Sequence, residues 1–379
     1  MSTTNRRIRR DLLKTMGTGI VAAGVAGCVP VTSSAARYQR PYSRKPWVAP
    51  RISMENVIRS IVGLRPYRPS GFVVKSEKFD DKIVVHNYGH GGGGITLSWG
   101  SSALAVRETL GMEHRDVAVV GGGVMGLTSA RLLQDAGWNV TIYTKDVARH
   151  STSNRAAGQW SPASVYDEDV ATDAFKAQLN WAARISHHAQ TNLGGADYGI
   201  SWMENYFLSH TPFNDRFNDD LSDLFPYTAD LQPDEHPFPV PYVHRFVTMM
   251  VEPATFLRRL TEDFHQAGGR MELRDFADRS QVLALEEPVI FNCTGLGAKA
   301  LFGDDELTPV QGQLVFLPPD PGVDYWTLGA GDGLLYMYPR SDALVLGGTS
   351  KEGEWSTQPD PAETARIVAG HKRIFDNFG

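Results

Sequence analysis

One short stretch constrains this chain more than any other. Val117–Val120 is a continuous apolar run that breaks directly into Gly121-Gly122-Gly123-Val124-Met125-Gly126. Such runs are typical of strands buried on both faces of a parallel sheet. Leu127 to Ala136 then has helical composition, Gly137 ends it, and Val140–Tyr143 gives a second strand. Strand, glycine turn, helix and strand in this order form a dinucleotide-binding unit. Gly121 permits the tight turn, and Gly123 lets the backbone approach a pyrophosphate. Val124 and Met125 open a helix whose free N–H groups point at that anion, and Gly126 lets helix and strand pack closely. The pattern leaves NAD and FAD both open. An acidic partner for the ribose is expected at the end of the second strand, where the chain reads Thr144-Lys145-Asp146, with Asp146 the candidate.

The surroundings are those of a globular protein. The 379 residues are 42% apolar and 21% charged, enough for two domains or one interleaved pair. A net charge of −6 argues against a general nucleic-acid partner. With only Cys28 and Cys293, the chain has neither a disulfide framework nor a cysteine-ligated zinc site.

Residues 1–36 read as an export signal. Arg6, Arg7, Arg9, Arg10 and Lys14 precede an uncharged Gly/Ala/Val-rich stretch from Thr15 to Gly27. Arg9-Arg10-Asp11-Leu12-Leu13-Lys14 resembles a twin-arginine signal, which carries folded proteins out of the cytoplasm to the periplasm or cell envelope. Val25-Ala26-Gly27-Cys28 resembles a lipobox, making Cys28 a candidate lipid anchor, and Ser34-Ala35-Ala36 is an alternative cleavage site. Residues 37–50, with three prolines, read as a linker.

Two further segments carry a family signature. Gly63-Leu64-Arg65-Pro66-Tyr67-Arg68-Pro69 is followed by Val85-His86-Asn87-Tyr88-Gly89-His90-Gly91-Gly92-Gly93-Gly94-Ile95-Thr96. The second is strand-like, then nearly free of side chains, then helical in spacing, so main chain is able to press against a planar or anionic ligand. Both resemble segments of the D-amino-acid oxidase and D-aspartate oxidase family. Ala156–Pro162, Asn292–Gly295, Gly312-Gln313, Tyr336–Pro339 and Leu346–Thr349 resemble further family segments, so the resemblance spans about residues 50–379. The order is rotated: segments that close the family's chains come first here, at 57–110, and the opening glycine motif follows. This reads as a circular permutation in which Met112–Asp116 joins the old termini and Phe378-Gly379 lies near Pro50.

The resemblance implies an α/β fold, with a Rossmann-type FAD-binding domain interleaved with a mixed, largely antiparallel substrate domain. The expected boundaries are 51–85 substrate segment, 86–165 FAD core, 166–269 substrate domain, 270–305 FAD return and 306–379 substrate domain. It implies oxidative deamination of D-amino acids, with hydride transfer from the α-carbon to the flavin, giving 2-oxo acid, ammonia and, with dioxygen as acceptor, hydrogen peroxide. Arg65 and Tyr336 are the implied carboxylate ligands and catalytic positioning groups, and the Gly92 backbone faces the amine. Implied FAD contacts are Gly121, Gly123, Val124, Met125, Gly126, Lys145, Asp146, Ser151, Thr152, Ser153, Ala157, Gly158, Phe276, Gly91, Gly92, Gly94, Ile95 and Thr96.

Departures from the family shape the substrate reading. Lys145 stands where the family often has an acid near the ribose. Leu328–Gly333 lacks a bulky lid tyrosine, implying an open pocket. Ser350 stands where the D-aspartate branch carries an arginine, which favours neutral side chains unless Arg340 or Lys351 replaces that cation. D-aspartate, glycine and secondary amines remain alternative substrates for such an oxidase or dehydrogenase, and a non-catalytic flavin-binding homologue remains a third reading. His187-His188 and the acids at Asp215, Asp219, Asp220 and Asp223 read as surface features, and no metal is expected.

Overall fold

The computed structural model describes residues 46–213, 219–330 and 334–378. The export signal, Cys28, Asp215, Gly379 and the Gly331–Gly333 part of the expected lid lie outside the described residues.

Along the chain run β1 (Arg59–Tyr67), β2 (Val73–Phe79), β3 (Lys82–Tyr88), α1 (Gly94–Arg107), β4 (Asp116–Val120), α2 (Val124–Asp135), β5 (Asn139–Thr144) and α3 (Asp173–Asn192). They are followed by β6 (Ile200–Ser209), β7 (Ala229–Leu231), β8 (Tyr242–Val251), α4 (Pro253–Gln266), β9 (Arg270–Leu273), α5 (Arg279–Leu283), β10 (Val289–Asn292) and α6 (Gly297–Phe302). The last elements are β11 (Thr308–Leu317), β12 (Tyr325–Gly329), β13 (Tyr336–Pro339), β14 (Leu344–Gly347), β15 (Lys351–Glu352) and α7 (Pro361–Asp376).

These strands form two sheets. The smaller has the order β2-β3-β10-β4-β5-β9, parallel from β3 to β9, with β2 antiparallel at its edge. Its central strands are the apolar runs of the sequence: Val117, Val119, Val289, Ile290 and Phe291 are fully buried. The larger sheet has the order β1-β11-β14-β13-β12-β6-β8-β7, with β15 also paired to β11. Its pairings are antiparallel except for β12 with β6. The α/β class with a Rossmann-type sheet and a largely antiparallel partner sheet is therefore present.

The segment ahead of the glycine turn contributes to both sheets. β1 lies along β11 from Arg59 opposite Phe316 to Tyr67 opposite Thr308. β2 and β3 enter the smaller sheet, so the expected boundary at residue 85 is corrected: most of 73–85 belongs with the nucleotide-binding strands, because β3 pairs in register with β10. Arg68 pins the crossing between the sheets, with Nε 2.8 Å from Asp304 and Nη1 donating to the Gly71 carbonyl. α1 ends at Arg107, so the link to β4 is 108–115, longer than the expected Met112–Asp116. Val48 and Phe378 meet on one side chain: the Tyr325 hydroxyl donates to the Val48 carbonyl at 2.8 Å, and the Phe378 ring stacks on Tyr325 at 6.4 Å.

α1 is buried on nearly all sides because Gly100 brings it against α3. A Cβ at Gly100 would sit 1.8 Å from the Ala182 carbonyl oxygen, a backbone atom with no room to turn away. Gly100→Ala therefore gains about 1 kcal/mol of helix propensity but incurs an overpacking cost of about 1–3 kcal/mol. We expect net destabilisation, read as a fall of several degrees in the thermal midpoint; an unchanged or raised midpoint contradicts this crossing.

Burial sets a pH limit as well. It lowers the pKa of His90 to about 3 and of His371 to about 4. Both rings are neutral in the folded protein, whereas an unfolded histidine takes up a proton near pH 6.5. The unfolded chain thus binds more protons as pH falls from about 6.5 to 4, and stability drops across that window. Denaturant unfolding at pH 7.5 and 5 should show this loss, and substituting the two histidines by residues that do not titrate should reduce it.

Candidate active site

A cavity of about 1060 Å³ runs from the β4–α2 turn to the face of β1, lined from both sheets. At one end lies the glycine turn. Gly121 has φ +113°, and a Cβ there would meet the Cys293 carbonyl oxygen at 2.4 Å, so glycine is required. The Gly121 N–H donates to the Tyr143 carbonyl at 2.8 Å. The Gly122 N–H donates to Thr144 Oγ1 at 3.0 Å, and that hydroxyl donates to the Asp146 carbonyl at 2.7 Å. Thr144 thereby ties the turn to the chain leaving β5, a role not visible in the sequence. The Val124 N–H donates to Ser153 Oγ at 3.1 Å.

Most of the expected contacts line this cavity: Gly121, Gly123, Val124, Met125, Lys145, Asp146, Ser151, Thr152, Ser153, Ala157, Gly158 and Phe276. Gly91, Gly92, Gly94 and Ile95 join them from the second glycine run. Two do not. Gly126 packs behind the turn, where a Cβ would sit 1.8 Å from the Gly121 carbonyl oxygen. Thr96 is buried and turned away, its Oγ1 donating to the Ser161 carbonyl and accepting from the Ser161 N–H, both at 3.0 Å. Lys145 lies 3.7 Å from Asp275 with both side chains exposed, a pair that contributes little. Arg274, not picked out in the sequence, stacks over the Phe276 ring at 4.9 Å beside the cavity.

The donors and glycines fit an extended dinucleotide cofactor. Gly91 has φ +52°, and the Gly92 N–H donates to the Ser164 carbonyl at 2.9 Å, which folds the second glycine run against the loop after Trp160. A Cβ at Gly94 would find its nearest neighbour only at 3.9 Å, so the main chain there opens onto the cavity. This leaves room for a planar group between the pyrophosphate turn and β1.

At the far end Arg65 projects from β1 over Gly312 of β11. A Cβ on Gly312 would lie 2.6 Å from the guanidinium, so the guanidinium rests directly against this glycine. Arg65 Nη2 donates to the Tyr336 hydroxyl at 3.4 Å. Tyr336 is itself seated over Gly347, where a Cβ would fall 1.7 Å from the ring. Arg65 is half-buried and has no acidic partner among the described residues. The two cations that the sequence offered for a second anion are engaged elsewhere. Arg340 bonds Asp342 through two N–H groups at 2.8 Å, and Lys351 Nζ lies 3.2 Å from Glu363. Neither lines the cavity, whereas Ser350 does.

Residues 116–379 match the family model described as FAD dependent oxidoreductase. The chain belongs to this family. A D-amino-acid oxidase of Streptomyces coelicolor is 33% identical over 262 residues, 68% of this chain and 77% of that protein. A D-aspartate oxidase of Homo sapiens is 28% identical over 272 residues, 68% of this chain and 75% of that protein. Among solved structures, glycine oxidase from Geobacillus kaustophilus shares the fold, with a TM-score of 0.53 at 19% identity over 69% of this chain and 78% of that chain. FAD is accordingly the cofactor of this family member, and the glycine-lined cavity is where its residues would hold it.

The Thr144 cross-tie yields a direct expectation. Thr144→Val removes both hydrogen bonds while keeping the side chain's shape, at a cost of about 0.5–1.5 kcal/mol each. FAD affinity of the apoprotein, measured by quenching of flavin fluorescence, should fall about tenfold; unchanged affinity would show that the tie does not shape the turn.

Proposed function

We propose that the protein oxidises D-amino acids to imino acids, which water converts to 2-oxo acids and ammonia, with dioxygen as acceptor and hydrogen peroxide as product. One observation carries this reading: the half-buried Arg65 guanidinium opens on the FAD cavity without an acidic partner among the described residues. A guanidinium takes a carboxylate through two parallel hydrogen bonds, fixing orientation as well as charge. The Tyr336 hydroxyl beside it adds a third donor to the same carboxylate. With the Gly92 N–H given to Ser164, the group this residue offers an amine is its carbonyl.

FAD, when bound, supplies the acceptor for the hydride leaving the α-carbon. The chain's own contribution is orientation: Arg65 and Tyr336 fix one end of the substrate so that the α-carbon presents one face. No side-chain base is needed when the amine arrives neutral. Arg340 and Lys351, the cations the sequence offered for a dicarboxylic substrate, are engaged elsewhere, while Arg155, which does line the cavity beside β1, gives one N–H to the Val62 carbonyl at 2.8 Å.

The same reading includes the chain's history and location. The family match begins at Asp116, yet the preceding segment supplies β1, β2 and β3 to the two sheets and the helix α1 that packs on β2 and β3. Together with the 108–115 link and the meeting of Val48 and Phe378 at Tyr325, this supports a circular permutation. The basic, twin-arginine-like residues 1–36 support action outside the cytoplasmic membrane, with Cys28 as a candidate anchor.

The test is anaerobic flavin bleaching by D- and L-amino acids. D forms should bleach the flavin and L forms should not. Arg65→Ala should raise the substrate concentration for half-maximal bleaching by about a hundredfold, the loss expected for a charge-assisted pair of bonds at about 1.5–3 kcal/mol. Unchanged affinity in Arg65→Ala, or bleaching by L forms alone, would rule the reading out.

A further inference from the structure

We propose that Glu352 and Asp167 make the substrate pocket selective for D-amino acids whose side chain ends in a cation, a refinement that rests on the D-amino-acid reading above. Both carboxylates line the cavity that Arg65 enters. Neither has a cationic partner among the described residues, although Lys351, next to Glu352, has two acidic ones.

Strand register explains this division. Val310 of β11 stands opposite Arg65 on one side and opposite Glu352 on the other. Residues paired across strands share a face, so Glu352 is on the Arg65 face, and its neighbour Lys351 is on the other. Tyr67, two residues beyond Arg65 on β1, is on that same face and donates from its hydroxyl to Asp167. Burial pushes the Tyr67 hydroxyl's pKa up, and the charges of Asp167 and Glu352 push it further, which puts both acids within electrostatic reach of one ring.

Spacing decides which substrate group they meet. Two strand separations put the backbone of Glu352 about 10 Å from that of Arg65. An α-ammonium lies directly beside the carboxylate that Arg65 holds, too close to that anchor for an acid so far along the pocket. An ammonium or guanidinium at the end of a three- or four-carbon side chain reaches that distance. The pocket thus offers Arg65 for the α-carboxylate and, farther out, two carboxylates with no cationic partner among the described residues. A neutral side chain would leave both anions without a counter-charge, and an acidic one would be repelled.

The test compares kcat/KM for D-lysine, D-arginine, D-norleucine and D-glutamate in the FAD-loaded enzyme. D-norleucine matches D-lysine in length without the charge. D-lysine should exceed D-norleucine by about tenfold, with D-glutamate the poorest. Exposed pairs contribute modestly, so Glu352→Gln and Asp167→Asn should each lower the D-lysine to D-norleucine ratio about threefold, and the double variant about tenfold. Flavin content of the variants checks that they fold. Turnover of D-norleucine at least equal to that of D-lysine, or a ratio unmoved in the double variant, overturns the side-chain assignment and leaves D-amino-acid oxidation standing. Absence of turnover with every D-amino acid, including D-alanine, overturns both.

Discussion

The antiparallel ladder between β1 and β11 holds together a molecule whose functional groups come from opposite ends of its sequence. Along it Arg65 meets Val310, and its guanidinium settles over Gly312. A slip of one residue would turn Arg65 and Tyr67 off the cavity together, because side chains alternate faces along a strand. The strand then crosses at Arg68 into β2 and β3, so the ladder that orients the substrate end also fixes where the second glycine run leaves β3. Substrate and cofactor ends of one cavity are thereby positioned by a single continuous segment, residues 59–107.

Much of this was legible in the residues. The apolar run at Val117–Val120, the glycine turn and the strand to Thr144 take the predicted form because a strand buried on both faces and a turn with positive φ each impose strict residue types. Arg65 and Tyr336 were reachable through resemblance alone, since neither an arginine nor a tyrosine announces its surroundings. What stayed hidden depends on pairing over long separations. Arg340 and Lys351 were plausible pocket cations until the structure brought Asp342, Asp360 and Glu363 to them. Glu352 went unnoticed because its orientation is set by a register between β15 and β11, not by its neighbours in sequence.

The charge balance of the cavity follows from these placements. Among the described residues Arg65 lacks an acidic partner and, farther out, Glu352 and Asp167 lack a cationic one, while Arg340 and Lys351 outside the cavity have acidic partners. Both carboxylates are exposed and screened by water, so their effect is on which side chain they favour rather than on the stability of the empty pocket.

The central claim is that Arg65 is the anion anchor of a cavity shared with FAD. Titrating the oxidised, FAD-loaded protein with a simple monocarboxylate that cannot be oxidised, and following the flavin's visible absorbance, tests it most directly. The account predicts a saturable spectral change in the wild type that disappears in Arg65→Met while the flavin remains bound. A saturable change of equal affinity in both proteins would contradict it.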